Sequence, residues 1–433
     1  MIINFILILL FILNFQILNK KFKFNNNINF NILLFFSNFF ILLILLVIST
    51  LNTIGIETLF YLRDKFINTN YSWQTDIDRS LIFILLSLFF YNISYFFFAK
   101  GFSKLKVYQI PNTKLKDRYL FFFIILFLIL FYLKFLNLDV DLIFTYKKIL
   151  NNHISNLFFS IIFIIIVRDL LLKEKFLLFL AFSSLSILLV GYLTQSRISI
   201  IIFIVFLFYG LKKLSNVKEL YFKFNYFLIT IFFIVILSVF LWIYFIGSIR
   251  ANLNFDDSIR YQATGIYQSF LGIFLRFEFI YQLENLFQNY QNYFFFNDFN
   301  FFIHQIIPNF IDKNNLEYRD FLYFDVDRSI YGDYVYTNLG QIVTTTTTYN
   351  PILDSYARFG WHSYLYFIIF SLCICSFIFF YSLEKTNVFI LINFYNLIIF
   401  DKSLYYIIQQ NLYYVFILLL ITLFYYVYKR FLT

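Results

Sequence analysis

Residues 176–211 read FLLFLAFSSLSILLVGYLTQSRISIIIFIVFLFYGL. Two runs of leucine, isoleucine and phenylalanine are broken once, by Thr194, Gln195, Ser196 and Arg197. Long uncharged apolar runs of this kind are spans of a bilayer, because only a helix satisfies its own backbone hydrogen bonds in hydrocarbon. The break leaves room for a tight turn and nothing more, so the stretch reads as a helical hairpin, spans 176–195 and 197–211. It also sets a question, since its one charge, Arg197, stands where an apolar medium should begin.

The rest of the chain agrees with a membrane fold. Of 433 residues 61% are hydrophobic, 25% aromatic and only 13% charged, about half the charge of a soluble domain. The 69 Phe and 36 Tyr belong, with Ile, Asn and Lys, to the residues of A+T-rich codons, so their abundance does not mark aromatic binding sites. The N-terminal stretch MIINFILILLFILNF lacks a basic start and a small-residue cleavage site, and reads as a retained span. Cys373 and Cys375 lie two apart within an apolar run, which turns them to different helix faces and excludes a disulfide framework or a metal site built on them. There is no phosphate-cradling glycine loop, no His/Cys cluster and no nucleic-acid signature, and no cofactor is expected. His153 stands in a short polar loop with no visible partner.

Apolar runs fall near 2–19, 31–51, 80–99, 119–136, 156–172, 176–195, 197–211, 226–246, 361–383, 387–400 and 404–428. The expected fold is thus an all-α polytopic membrane protein of about 11 transmembrane helices. Eight spans lie in 1–246, three in 361–433, and 387–400 is the shortest. The loop 100–118 holds Lys100, Lys104, Lys106, Lys114, Lys116 and Arg118, which fixes it as cytoplasmic. Alternation from that anchor collects 19 basic residues and five acids (Asp117, Asp169, Glu174, Glu219, Glu384) inside. The N-terminus is then outside and the C-terminus, with Lys429 and Arg430, inside. The +10 charge follows from these lysines and says little about ligands.

One long segment, 247–360, falls outside. It holds 12 of the 24 acids and seven basic residues, and a loop this long in a compact fold is usually functional. Its stretch 264–288 is apolar around Arg276 and Glu278 and reads as an interfacial or re-entrant helix rather than a further span. No repeat of 20–50 residues is visible, which disfavours transporters built from repeats.

Inside, only Arg118, Arg168 and Arg430 are arginine, the remainder lysine; in the long loop Arg250, Arg260, Arg276, Arg319, Arg328 and Arg358 face a single Lys313. A codon bias cannot reverse itself on one side of a membrane. Guanidinium keeps its charge, forks its donors to match phosphate oxygens and is less strongly hydrated than ammonium. The loop arginines and Arg197 therefore point to an anionic, phosphate-like ligand at the outer boundary, against the alternative that they pair with the loop's own acids. Arg250 follows the span 226–246 and Arg358 precedes the span 361–383, so both sit near the predicted depth of Arg197.

Two stretches, GYLTQSRISIIIF (191–203) and YNPILDSYARFGWHSYLYF (349–367), resemble the Wzy-type O-antigen polymerases of bacterial surface polysaccharide and the related O-antigen ligases. The ligases carry a histidine where this chain has Tyr349, before Asn350, which favours polymerase over ligase. The resemblance implies a glycosyltransferase-C-like membrane fold in the bacterial inner membrane. It also implies an undecaprenyl-pyrophosphate-linked oligosaccharide as donor, a second lipid-linked repeat as acceptor, and a flippase and chain-length regulator as partners in the pathway. The departing pyrophosphate must be neutralised by fixed cations, for which Arg197, Arg250 and Arg358 are the first choices, with Arg260 and Arg276 behind them. The acceptor hydroxyl calls for a base: Asp333 and Asp354 are the carboxylate candidates, Tyr349 and His304 the outsiders. Three Asp-x-Asp pairs, Asp76/Asp78, Asp139/Asp141 and Asp325/Asp327, also fall outside; the first could serve a metal or an acceptor, though solvated loops throw up such spacing by chance, and no metal is expected. The run Thr344–Thr348 could bond sugar but reads as a low-complexity tract. A polyprenyl-phosphate-sugar-dependent glycosyltransferase and a flippase of lipid-linked sugar are the competing readings.

Overall fold

The computed structural model describes residues 78–105, most of 109–135, 153–194, 198–215, 351–398 and 404–431, with single positions at 9, 38, 41, 42, 45, 283 and 287. Among them the chain is helical, without a strand. The helices are α1 (Asp78–Phe102), α2 (Asp117–Phe135), α3 (His153–Leu172), α4 (Phe176–Thr194), α5 (Ile198–Ser215), α6 (Pro351–Phe359), α7 (Tyr364–Ser382), α8 (Val388–Ile398) and α9 (Leu404–Phe431). Eight of these coincide with apolar runs of the sequence; of the runs 2–19 and 31–51 only the single positions named are described, and 226–246 lies outside the described residues.

The pattern of exposure says what surrounds the helices. In α2, Phe121, Phe122, Ile125, Leu128, Ile129 and Tyr132 are exposed at a helical spacing, while Leu120 and Phe127 are buried. In α1, Ile82, Leu86, Phe89, Ile93, Phe96 and Phe97 line the open side, opposite buried Leu81, Ile84, Leu88, Tyr91 and Tyr95. Water would not tolerate stripes of this extent; lipid makes them favourable. Arg79–Phe102, Gly360–Ser382 and Tyr406–Phe431, of 24, 23 and 26 residues, are long and apolar enough to cross a membrane. At about 1.5 Å per residue each exceeds the roughly 30 Å hydrocarbon core. Over its described residues the chain is an all-α membrane protein.

The contacts divide the chain into two compact units. The first comprises residues 1–106, 270–379 and 396–411; the second comprises 107–269, 380–395 and 412–433.

In the first unit α7 packs on α1 through small residues. Ser371 donates 3.2 Å to the Tyr91 carbonyl and Cys375 lies 3.8 Å from that of Tyr95, so two residues one turn apart let the backbones approach. Cys375 is buried by this contact and Cys373 is partly exposed. Asn38 and Asn92 exchange amide hydrogen bonds of 2.6 and 3.1 Å. Such a reciprocal pair satisfies polar groups that lipid cannot.

The second unit is held by phenylalanine. Phe127 of α2 stacks on Phe159 of α3 at 4.5 Å and meets Phe182 of α4 edge-on at 5.2 Å. Phe179 of α4 stacks on Phe206 of α5 at 5.7 Å. The codon bias that supplied these rings does not prevent their use; they fill the core in offset and edge contacts worth about 0.5–1.5 kcal/mol each beyond burial.

Helices α4 and α5 form the expected hairpin. Phe179, near the start of α4, meets Phe206 and Tyr209, near the end of α5. The two helices are therefore antiparallel about the three residues 195–197. Gly210 makes their approach close, since a Cβ there would overlap the Leu180 side chain.

Within the expected span 387–400, α8 covers Val388–Ile398, 11 residues or about 16 Å of helix; 399 and 400 lie outside the described residues. Polar Asn393 and Asn396 stand in its otherwise apolar sequence.

Candidate functional site

Of the residues singled out for an outer anionic site, the described part of the chain contains two. Arg197, Arg250, Arg260, Arg276, His304, Asp333, Tyr349 and Asn350 lie outside the described residues, as do all but Asp78 of the Asp-x-Asp pairs and the threonine run. Arg197 is bracketed closely all the same, between Thr194 at the end of α4 and Ile198 at the start of α5. Arg358 is the penultimate residue of α6.

Asp354 is also on α6, where Pro351 opens the first turn, as suits its fixed φ and missing N–H. Its carboxylate is buried at 1 % exposure. Tyr366 donates a 2.7 Å hydrogen bond to Asp354 Oδ2, and the same phenol oxygen accepts 2.7 Å from the Leu404 amide. One acid thus ties α6 to the first turn of α7 and the first residue of α9. A base must reach the proton that it takes; here the phenol bonds Oδ2, and that contact fastens α6.

Between α6 and α7 the chain turns at Gly360, whose φ of 55° is left-handed and suits glycine. A 3-10 turn, Gly360–His362, follows. It leaves Trp361 and His362 exposed and Ser363 buried. His362 Nδ1 lies 3.4 Å from the Tyr364 hydroxyl.

The strongest polar cluster belongs to the second unit, at residues the sequence reading counted only for topology. Arg168, near the end of α3, is 2 % exposed and pairs through Nε with Glu384 Oε1 at 3.3 Å. Its guanidinium also lies over the Tyr425 ring at 4.2 Å. Glu384 sits in the turn before α8 and caps it: Oε1 accepts from the Thr386 amide at 3.0 Å and from the Thr386 hydroxyl, and Oε2 from the Val388 amide at 3.2 Å. These are unpaired donors of a helix N-terminus, which favours negative charge.

Asp169, beside Arg168, is fully buried and accepts 2.7 Å from the Leu115 amide. Its other oxygen lies 2.9 Å from Lys173 Nζ, an ion pair by distance though poorly aligned as a hydrogen bond. Lys173 also donates 2.8 Å to Asp117, the exposed first residue of α2, which Lys175 approaches at 3.4 Å. The hydrogen bond from Lys173, then its charge and those from Lys175, hold the Asp117 carboxyl below its ordinary value. Burial pulls the Lys173 ammonium down, and Asp117 and Asp169 together more than offset that, for a net upward shift.

This cluster joins the segments 113–117, 168–175, 384–388 and the end of α9, where the Lys116 amide donates a 3.1 Å hydrogen bond to the Tyr428 hydroxyl. Every one of these lies on the side that lysine and arginine counts group together. Its carboxylates are consumed by cations and amides, so the arrangement fastens loops. The sequence carried one signal for it: the adjacent Arg168 and Asp169 in IIFIIIVRDLLL, where ionisable residues in an apolar run need partners. Among the described residues no three His, Cys, Asp or Glu side chains come together as a ligand set.

Comparison of the chain with protein-family models, with curated proteins and with solved structures finds no match.

Proposed function

We propose that the chain is a polymerase of surface-polysaccharide repeat units, a glycosyltransferase acting on undecaprenyl-pyrophosphate-linked oligosaccharide at the outer face of a bacterial inner membrane. In this reading about 11 spans of glycosyltransferase-C-like arrangement carry the loop 247–360 outside, with the N-terminus outside and the C-terminus cytoplasmic. The observation that carries it is the reversal of lysine to arginine in that loop, six to one, on the side where basic residues are otherwise scarce. The antiparallel pairing of α4 and α5, with Arg197 in the short sequence between Thr194 and Ile198, is in keeping with it.

The reaction breaks the bond between the anomeric carbon of the growing chain and its pyrophosphate, and forms a glycosidic bond to a hydroxyl of the incoming repeat. Pyrophosphate leaves on its lipid and the hydroxyl proton passes to a base. Forked cations at the membrane boundary stabilise the charge that gathers on the leaving group, the step where electrostatic preorganisation contributes most. Arg197, Arg250 and Arg358 take that part, with Arg260, Arg276, Asn350 and Tyr349 toward the substrate. Asp354 is buried under Tyr366, so Asp333 is the carboxylate favoured as base, ahead of His304.

Removal of the chain from its host tests the reading. Surface polysaccharide should shrink to single capped repeats while translocation of the precursor continues. Accumulation of precursor on the cytoplasmic side would favour the flippase reading and defeat this one. Single repeats assembled one sugar short would instead mark a polyprenyl-phosphate-sugar-dependent glycosyltransferase.

A further inference from the structure

Trp361 is 61 % exposed, yet its ring is held on three sides. Phe287 lies under it at 5.5 Å and 8° from parallel. Phe83 of α1 and Tyr356 of α6 meet it edge-on at 5.7 and 6.0 Å. The supporting rings also brace one another: Phe287 meets Tyr356 at 4.6 Å and Phe83 meets Tyr356 at 5.3 Å. All four belong to the first unit.

The geometry points to a saccharide platform at Trp361, on which a pyranose ring stacks its C–H face. This rests on the polymerase reading for the class of ligand and names where that ligand's sugar would lie. The electron-rich face of an indole attracts the weakly positive C–H groups of a sugar as it attracts the edge of another ring. A platform must be flat, open and rigid; stacking on a ring already fixed forfeits little further freedom. Trp361 meets these conditions, with Phe287 stacked on it, two rings at its edge and 61 % of its surface exposed. The left-handed Gly360 turns the chain so that the ring stands out between α6 and α7. Arg358, three residues before it, lies in the last turn of α6, and exposed His362 follows, so polar partners for hydroxyls or phosphate flank the ring in sequence.

The competing account is that Trp361, the second residue of an apolar segment that can cross a membrane, is an interface anchor. Anchoring requires an amphipathic ring near the headgroups, and nothing in that role demands a three-ring brace. The two accounts separate in one experiment. The chain has three tryptophans, Trp73, Trp242 and Trp361, so W73F/W242F in the full-length protein leaves one reporter. In nanodiscs, oligosaccharide repeats released by mild acid from the host's lipid carrier should saturably lower acrylamide quenching of Trp361 at least twofold. Lipids brominated on their acyl chains should quench it little. Strong quenching by brominated lipid, with no protection by oligosaccharide, overturns the platform. In cells W361Y, which keeps a ring, should retain polysaccharide length and W361L, which keeps only apolarity, should shorten it; an unchanged ladder with W361L at normal expression also overturns it. Absent protection would leave the polymerase reading standing, whereas normal polysaccharide in a strain lacking the chain would defeat that reading and leave the fluorescence result intact.

Discussion

Arg168 Nε lies 3.3 Å from Glu384 Oε1, with the two side chains 2 % and 1 % exposed. This pair fastens the end of α3 to the turn between α7 and α8, and Glu384 caps α8 with what remains of its carboxylate. Removing one member leaves a buried charge without its partner, a loss of about 3–5 kcal/mol. Arg168→Ala and Glu384→Ala should each lower the thermal midpoint in detergent by many degrees. Arg168→Met combined with Glu384→Met should recover much of the loss, although α8 would still lack its cap. Additive losses in the double variant would contradict a direct pair.

The exposed end of the same cluster titrates, and the signs differ for its two members. The Asp117 carboxyl is held below its ordinary value, so its contribution is complete above about pH 4 and fades as acid reaches the lowered value. The Lys173 ammonium is held above its ordinary value, so its contribution is complete below about pH 10 and fades in stronger base. Stability from this pair should therefore be flat across the neutral range. Asp117→Asn should shift the midpoint only slightly, because Asp117 is exposed and salt screens it. A midpoint that varied between pH 6 and 9 in the wild type, but not in Asp117→Asn, would refute the assignment.

Gly210 lets α5 approach α4 over Leu180. Gly210→Ala should force Leu180 aside, and Gly210→Leu should destabilise by about 1–3 kcal/mol through overpacking. Gly210→Ala with Leu180→Ala should be more stable than Gly210→Ala alone. Thermal unfolding of the set checks this, and the absence of any such rescue would show that the close contact does not exist.

Tyr366→Phe removes the donor to Asp354 and the acceptor for the Leu404 amide while keeping the ring. With both partners buried, about 1–3 kcal/mol should be lost. Asp354→Asn should lower the midpoint similarly, as an anchor would. Loss of polysaccharide length in Asp354→Asn at an unchanged midpoint would instead restore Asp354 as a base.

How far the sequence was legible varied with the range of the contacts. The helices α1 to α5, α7 and α9 follow from hydropathy alone, since lipid demands continuous apolar helix whatever the helix packs against. Helix α8 was legible as an apolar helix over Val388–Ile398, while the end of its run, 399–400, lies outside the described residues. The hairpin was legible because its two helices are adjacent in the chain. The Arg168–Glu384 pair was not, since its members lie more than two hundred residues apart and only folding brings them together. Asp354 read as a carboxylate base candidate, and its burial against Tyr366 emerged only with α6. The brace around Trp361 was hidden by the abundance of phenylalanine, which makes any one ring unremarked in sequence.

The central claim is that fixed guanidinium groups at the outer boundary hold a departing pyrophosphate, with Arg197 first among them. The most direct measurement is the length ladder of surface polysaccharide from cells whose only copy of the chain carries Arg197→Ala or Arg197→Lys, at expression matched to wild type. Single capped repeats with Arg197→Ala, and poor recovery with Arg197→Lys because ammonium cannot fork, are the expected result. A full ladder with Arg197→Ala would contradict it.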